Sequence, residues 1–206
     1  KPRSSILNYL IYDLLCQGNL NGATDTIASK KKAATSSLTQ KVLVALVAKT
    51  GERPAERGRD KFAYDEQSDL LFVRKFVLDT IPKAYEKAPL TDEPLETRYS
   101  RMQGLAELMN HMIGEKDKEQ TSGVRSTDHA QSRSQAQLRR LMYEKGFVDK
   151  LTLSIAEISL NYPGVKRAIK YILRVLRVLT ATAKELSLSP LSTSLPSDPT
   201  AVDHSD

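Results

Sequence analysis

The stretch FVDKLTLSIAEISLNYPGVKRAIKYILRVLRVLTATAKEL, from Phe147 to Leu186, decides the fold class of this chain. In its middle, Asn161 can cap a helix and Pro163 stands in the first turn, where a missing N–H is tolerated. From there to about Ser187, aliphatic residues recur every three or four positions, which is the spacing of one helix face. The pattern predicts a helix of roughly 25 residues, about 37 Å long. Its predicted buried stripe consists of Val165, Ile169, Ile172, Leu176, Leu179 and Ala183.

Helical spacing also predicts the elements that precede this helix. Four of them have approximate bounds of 4–16, 37–49, 134–145 and 147–159. A further helix starts near residue 68, and another runs from after Asp92 to before Gly114, with Pro94 in its first turn. The helix near 68 is apolar around most of its circumference, which predicts burial on more than one side, and Pro82 predicts a kink or a restart. For 37–49 the expected buried face is Leu38, Val42, Leu43, Leu46 and Val47. Valine, which is common in strands, is frequent in this segment. The length of the segment and the spacing of its apolar residues nevertheless favour a helix.

Four polar segments separate or follow these helices. Residues 17–36, which include Lys30, Lys31 and Lys32, are predicted to be a long connection, and residues 51–66 and 114–133 are predicted loops. Residues 188–206 read as a disordered tail. These segments hold too few aliphatic side chains to offset the entropy of ordering, so limited proteolysis is expected to cut 51–66, 114–133 and 188–206 first.

The predicted fold class is all-α. Antiparallel helices joined by short and long connections suggest an irregular helical bundle or an armadillo-like α-solenoid segment over residues 1–187. No repeat of fixed period is detectable, so the pattern does not assign a repeat class.

Composition narrows the possible functions. The chain has 206 residues and a net charge of +6, a mild excess that is not typical of a dedicated nucleic-acid binder. It lacks the run of about 18 apolar residues that a membrane span needs. A single cysteine, Cys16, excludes an internal disulfide and fits the reducing cytoplasm and/or nucleus. The first residue is not Met, which suggests a fragment of a longer protein.

No constellation of catalytic or metal-binding residues emerges. The glycines are scattered rather than arranged in a phosphate-binding loop. Zinc needs clustered Cys and His ligands, and the chain has one Cys and three His, of which His129 and His204 lie in segments predicted to be disordered, so no cofactor or metal is predicted. His111 follows Glu107 by one helical turn, which favours a surface pair over half a metal site. Cys16 is a candidate thioester nucleophile, but Asp13, Leu14, Leu15 and Gln17 supply neither a base nor a positive field. A packed cysteine at a helix end is the favoured interpretation.

Basic residues on the predicted last helix form the candidate contact surface. They are Lys166, Arg167, Lys170, Arg174, Arg177 and Lys184. At about 100° per residue they fall in a stripe roughly 100° wide, beside the predicted apolar face. The stripe could bind an acidic partner, a phosphate backbone or a neighbouring acidic helix; the alternative is an ordinary solvated face.

The quoted stretch resembles a segment of the very large HECT-type E3 ubiquitin ligases with long helical-repeat bodies, most closely their fungal members. The resemblance lies in Leu160–Asn161–Tyr162–Pro163 between a short and a long helix, with Leu179–Thr180 later, and more weakly in RYSRMQGLAELMNHMI from Arg98 to Ile113. Gly164 departs from the family's usual Asn. The resemblance implies a scaffold segment upstream of the catalytic HECT domain, in a curved α-superhelix that holds substrates. The family's catalytic cysteine lies in that domain, so Cys16 does not inherit its role.

Two hypotheses therefore remain open. The first is a non-catalytic scaffold segment that contacts other helical segments of the same long chain and protein substrates of ubiquitination. The alternative is a stand-alone helical adaptor that binds an acidic protein or a nucleic acid through the last helix. A HECT domain downstream in the reading frame favours the first, and stop codons at both ends favour the second.

Overall fold

The fold is described by a computed structural model over residues 5–17, 25–48, 62, 68–87, 94–114, 128–162 and 165–189, without the side chains of 68, 87 and 128–135. The helices are α1 (Ile6–Asn8, continued by a π-helix over Tyr9–Leu15), α2 (Ile27–Val47), α3 (Ser68–Lys87), α4 (Leu95–Met112), α5 (Asp128–Glu144), α6 (Phe147–Glu157) and α7 (Val165–Ser187). These ranges contain no strand, which confirms the all-α prediction. None of their helices is long and apolar enough to cross a bilayer.

α1 begins at a serine cap. The Ser5 hydroxyl accepts a hydrogen bond from the Asn8 amide at 3.3 Å. Leu7, Ile11 and Leu15 point into the core, and the helix ends at the buried Cys16.

α2 starts ten residues earlier than the predicted 37–49, so the prediction of a connection over 17–36 is wrong from Ile27 onward. Thr26 caps the helix by accepting from the Ser29 amide at 3.2 Å. The segment that follows alternates Lys and Ala with Ser and Thr, and Lys and Ala are strong helix formers even without an aliphatic stripe. Ser36 then donates to the Leu15 carbonyl at 2.6 Å, which joins α2 to the end of α1.

The buried face of α2 also differs from the prediction. Leu43 and Val47 are buried as expected, but the rest of this face consists of Ser36 and Thr39. The other three predicted core residues are exposed: Leu38 by 61%, Val42 by 48% and Leu46 by 42%. The predicted face was wrong because α2 carries two aliphatic rows, and only one of them meets the rest of the segment.

α3 continues through Pro82, so the predicted restart does not occur. The proline lacks the N–H that would bond one turn back, and its side chain is buried. α3 packs against α1, α2, α4, α5 and α6. Its outer side nevertheless exposes Phe72 by 70% and Phe76 by 48%, with their rings stacked at 6.4 Å between centroids.

A buried arginine holds the carboxyl end of α2 in place. Arg74 of α3 is 3% exposed, and its Nε donates to the Val47 carbonyl at 2.8 Å. Its Nη1 donates to Gln137 Oε1 of α5 at 3.2 Å. A cation at a helix carboxyl end satisfies a backbone carbonyl that has no partner within the helix. Arg74 therefore connects α2, α3 and α5.

Among the described helices, α4 and α7 pack against each other most extensively. α4 agrees with the prediction: Pro94 precedes its first residue, and Gly114 follows its end with a φ of 78°. Of the apolar residues that recur at helical spacing along α4, Leu95 is exposed and the others are buried, namely Tyr99, Met102, Leu105, Ala106, Met109 and Ile113.

α5 and α6 are joined at Gly146, whose φ of 74° favours glycine. α5 begins at Asp128 rather than 134, so the predicted loop over 114–133 is wrong from Asp128 onward. The sequence DHAQSRSQ has no aliphatic periodicity to reveal a helix. Phe62, inside the predicted loop 51–66, lies in a turn and is buried, and its carbonyl accepts from Arg140 Nη1 at 3.0 Å. The remainder of 51–66, residues 115–127 and residues 190–206 lie outside the described residues.

The turn between α6 and α7 is attached to α4. The Ser159 amide donates to Tyr99 Oη at 2.9 Å, and the Tyr99 and Tyr162 rings meet edge to face at 5.1 Å. Within the Leu160–Pro163 motif, of which Leu160–Tyr162 are described, Tyr162 thus contacts α4 shortly before α7 begins.

Candidate contact surface on the last helix

The buried face of α7 is rotated away from the predicted stripe. Ile169, Leu176 and Ala183 are only partly buried. The fully buried residues are Val165, Ala168, Tyr171, Ile172, Val175, Val178, Leu179 and Thr182. Thr182 tolerates burial because its hydroxyl donates to the Val178 carbonyl at 2.9 Å. This face packs against α4, α5 and α6. It includes small and polar residues, which the spacing of aliphatic residues does not reveal.

The predicted basic residues lie on the outside of the helix. Lys166, Arg167, Lys170, Arg177 and Lys184 are exposed, and Arg174 is half-buried. At about 100° per residue, the centre of the basic stripe lies about 150° from the centre of the buried face. The structure thus brings all six residues onto one outward surface, opposite the core rather than beside it as the sequence predicts.

The charge of this surface is nearly uniform. α7 contains six cations and one carboxylate, Glu185, which gives a net charge of +5. Glu185 follows the last of the cations, so no acid of α7 interrupts the surface between Lys166 and Lys184. Arg174 lies over the ring of Tyr171, with Cζ 5.8 Å from the centroid, and this contact directs its guanidinium along the helix.

A regular line of exposed side chains runs along this surface. Its members are Lys166, Lys170, Leu173, Arg177, Thr180 and Lys184, and we name this line the basic seam. The positions alternate by four and three residues, as in the contact line of a coiled coil. Leu173 is 52% exposed and lies near the middle. Leu173 was not predicted, because the aliphatic and the basic stripes of the helix do not include it. The signal that could have identified it is the alternation of four-residue and three-residue spacings.

The other candidates do not form a site. Cys16 is 2% exposed, as expected for a packed cysteine. A ring nitrogen of His111 contacts the Glu107 backbone carbonyl at 2.8 Å rather than its carboxylate. Among the described residues, no group of three or more His, Cys, Asp or Glu side chains could hold a metal ion. Lys30, Lys31 and Lys32 lie exposed on α2, where Lys30 pairs with Asp25 at 2.6 Å.

The known relatives of this chain are large fungal proteins. No protein-family model and no solved structure matches the chain. It is 52% identical over 188 residues to a Neurospora crassa protein named E3 ubiquitin-protein ligase TOM1-like, covering 91% of this chain and 5% of that protein. It is 33% identical over 115 residues to E3 ubiquitin-protein ligase ptr1 of Schizosaccharomyces pombe, covering 56% and 3%. It is 22% identical over 189 residues to E3 ubiquitin-protein ligase TOM1 of Saccharomyces cerevisiae, covering 91% and 6%. The chain thus spans about one-twentieth of the length of these relatives.

Proposed function

Since this chain belongs to the same sequence family as one segment of the large fungal E3 ubiquitin-protein ligases, we propose that it is a non-catalytic helical scaffold segment of a HECT-type E3 ubiquitin ligase. The observation that carries the proposal is the 52% identity that extends over 91% of the chain yet covers 5% of the relative. Such a short share of a long protein is what one stretch of an armadillo-like helical body would occupy.

Exposed apolar surfaces support intrachain contacts. Leu38, Val42 and Leu46 form one row on the outside of α2, and Phe72 and Phe76 form a stacked pair on the outside of α3. Contiguous exposed apolar side chains usually mark an interaction surface. In a helical-repeat body each unit is covered by its neighbours along the chain. We assign these two surfaces to other helical segments of the same long protein, whose relatives are about twenty times as long as the match.

The surroundings of the single cysteine support the non-catalytic role. A ubiquitin-accepting thiol must meet the thioester of a bulky charged conjugating enzyme. Cys16 is 2% exposed behind the end of α1, with Ser36 of α2 bonded to the adjacent Leu15 carbonyl. A large partner cannot reach its sulfur without local unfolding.

Two experiments test this function. The reading frame should continue beyond both ends of the chain and encode a HECT domain downstream; stop codons at both ends would instead favour the stand-alone adaptor. Separately, the chain should form no reductant-sensitive adduct when mixed with activating enzyme, conjugating enzymes and ubiquitin. An adduct that disappears in Cys16→Ser would overturn the non-catalytic assignment.

A third experiment addresses the scaffold role in the parent ligase. The variant L38Q/V42Q/L46Q should reduce protease resistance of the parent and modification of its substrates, while thioester formation at the HECT domain is retained. The control S37A/K41Q changes exposed residues of the same helix and should alter neither property. Equal effects of the two variants would remove the intrachain assignment of α2.

The proposed location is the cytoplasm and/or nucleus. It rests on the single Cys16, since a disulfide framework is typical of oxidising compartments. Microscopy of the fluorescently tagged parent would test it, and accumulation in a secretory compartment would exclude it.

A further inference from the structure

We propose that the basic seam of α7 binds an acidic, amphipathic helix of a separate polypeptide, with Leu173 as the central apolar anchor. The bound helix would carry an aliphatic residue against Leu173 and a Glu or Asp about one turn before and after it. Lys170 and Arg177 lie one turn to either side of Leu173 and would pair with those carboxylates. This inference goes beyond the scaffold role and does not require that the parent be a ligase.

The geometry of the seam fits a helix. Its six positions follow spacings of four and three residues, the line along which one helix packs on another with a small left-handed crossing. From Lys166 to Lys184 the line is about 27 Å long, which matches a partner helix of about 18 residues. All six side chains of the seam are exposed, so a partner could lie along it without displacing the core.

The charge of the seam requires an acidic partner. Four of its six positions are cations, and the flanking Arg167 and Arg174 add two more. The sole acid of α7, Glu185, lies beyond the last of them. Such a surface attracts negative charge over about a Debye length and repels basic segments.

Leu173 favours a polypeptide over a nucleic acid. A phosphate backbone offers no apolar group to cover a half-exposed leucine, whereas an amphipathic helix does. Single-stranded nucleic acids are held by aromatic side chains that stack on bases, and the seam has none. The nearest aromatic residue of the helix, Tyr171, is buried on the other side.

The composition of the seam also favours a separate partner over another part of the same chain. Permanent interfaces resemble a domain core, and the outer row of α2 has that aliphatic character. Interfaces that form and separate combine charged residues with a small apolar centre, since charge accelerates association and gives specificity. The seam has this second composition.

The test is a binding measurement by fluorescence anisotropy with the 206-residue chain. The probe is a labelled synthetic helical peptide of about 18 residues that carries Glu and Leu with spacings of three and four. Its controls are a peptide of the same composition in scrambled order and a single-stranded oligonucleotide of equal net charge. We expect the patterned peptide to bind more tightly than both.

Three protein variants identify the contacts. L173Q should weaken the patterned peptide about tenfold and leave the oligonucleotide unchanged, because only the peptide covers this side chain. K170Q/R177Q should weaken it about threefold to tenfold and reduce the salt dependence. The matched control K75Q/K83Q removes two exposed lysines of α3 and should change affinity less than about twofold. Circular dichroism verifies that each variant is folded.

Several outcomes would overturn the proposal. Equal affinity for patterned and scrambled peptides, or no effect of L173Q, would reduce the seam to nonspecific charge. Tighter binding of the oligonucleotide would assign the seam to nucleic acid. The parent protein should bind the peptide as well as the chain does; loss of binding in the parent would mean that a segment of the same protein occupies the seam.

Discussion

α7 and α2 are both long helices with rows of aliphatic residues, but they differ in how much of these rows is buried in the core. In α7 the buried face meets α4, α5 and α6, and the outer side carries the cations of the helix together with the exposed Leu173. In α2 the buried face includes Ser36 and Thr39, while Leu38, Val42 and Leu46 remain outside. A row of aliphatic residues therefore indicates that a helix face packs against something, but it does not show whether the packing partner belongs to the same segment.

The largest expected effect tests the buried side of this comparison. Ile172 of α7 is fully buried. Ile172→Ala should therefore lower the free energy of unfolding by about 2–5 kcal/mol, because it removes contacts and leaves a cavity. The matched control is Leu38→Ala on the exposed row of α2, which should change it by less than about 0.5 kcal/mol. Urea unfolding followed by circular dichroism measures both. Similar losses would mean that the α2 row is also covered within this chain.

The next prediction concerns how the end of α2 is held. Arg74→Leu removes two hydrogen-bond donors. One donates to the Val47 carbonyl and the other to the buried side chain of Gln137. The expected loss of unfolding free energy is about 2–3 kcal/mol. The control Lys75→Leu changes the adjacent exposed cation and should remain within about 0.5 kcal/mol. If both variants unfold at the same urea concentration, Arg74 does not hold α2 in place.

A smaller effect is expected where α3 meets α6. Ser154 donates to the Leu151 carbonyl, so its oxygen accepts the Tyr85 hydroxyl proton at 2.7 Å. Tyr85→Phe should cost about 1 kcal/mol at neutral pH. The exposed Tyr143→Phe should cost less than about 0.5 kcal/mol.

Alkaline pH sharpens this prediction. Burial, with a smaller contribution from the charge of Glu157, raises the pKa of Tyr85 from 10.0 to about 12, against the opposing effect of the Ser154 hydrogen bond. Because the folded pKa lies above the unfolded value, the stabilisation is complete below pH 10 and is lost as pH rises toward 12. Tyr85→Phe lacks this loss, so its deficit should close and then reverse over that range, by about 2–3 kcal/mol in total. A constant difference between pH 9 and 12 would contradict the assignment.

The smallest effect is expected from the exposed row itself. Leu38→Gln, Val42→Gln and Leu46→Gln should each change the stability of the isolated chain by less than about 0.5 kcal/mol, because water already reaches these side chains. The same variants should have a larger effect in the parent protein, if a neighbouring segment covers the row. Thermal unfolding of the chain and limited proteolysis of the parent provide the two measurements.

Much of the helical architecture was predictable from local signals. Ser5, Pro94, Gly114 and Gly146 stand at helix boundaries because capping and positive φ values depend on a few adjacent residues. The early parts of α2 and α5 were missed because neither segment carries an aliphatic stripe, and helix propensity without such a stripe is a weak signal. The six basic residues of α7 were identified correctly as sharing one side, since their angular positions follow from helix geometry alone.

By itself, the sequence determined that the chain is helical, where most helices end, and that the cations of α7 share a surface, because these properties depend on neighbours within about one turn of chain. The tertiary structure decided which face of each helix is buried. It rotated the core face of α7 toward Ala168 and Thr182, exposed Leu173 and Leu38, and buried Arg74 against the end of α2. The physical reason is that burial depends on which surfaces of distant helices fit together, and small or polar residues with satisfied hydrogen bonds pack there as well as aliphatic ones.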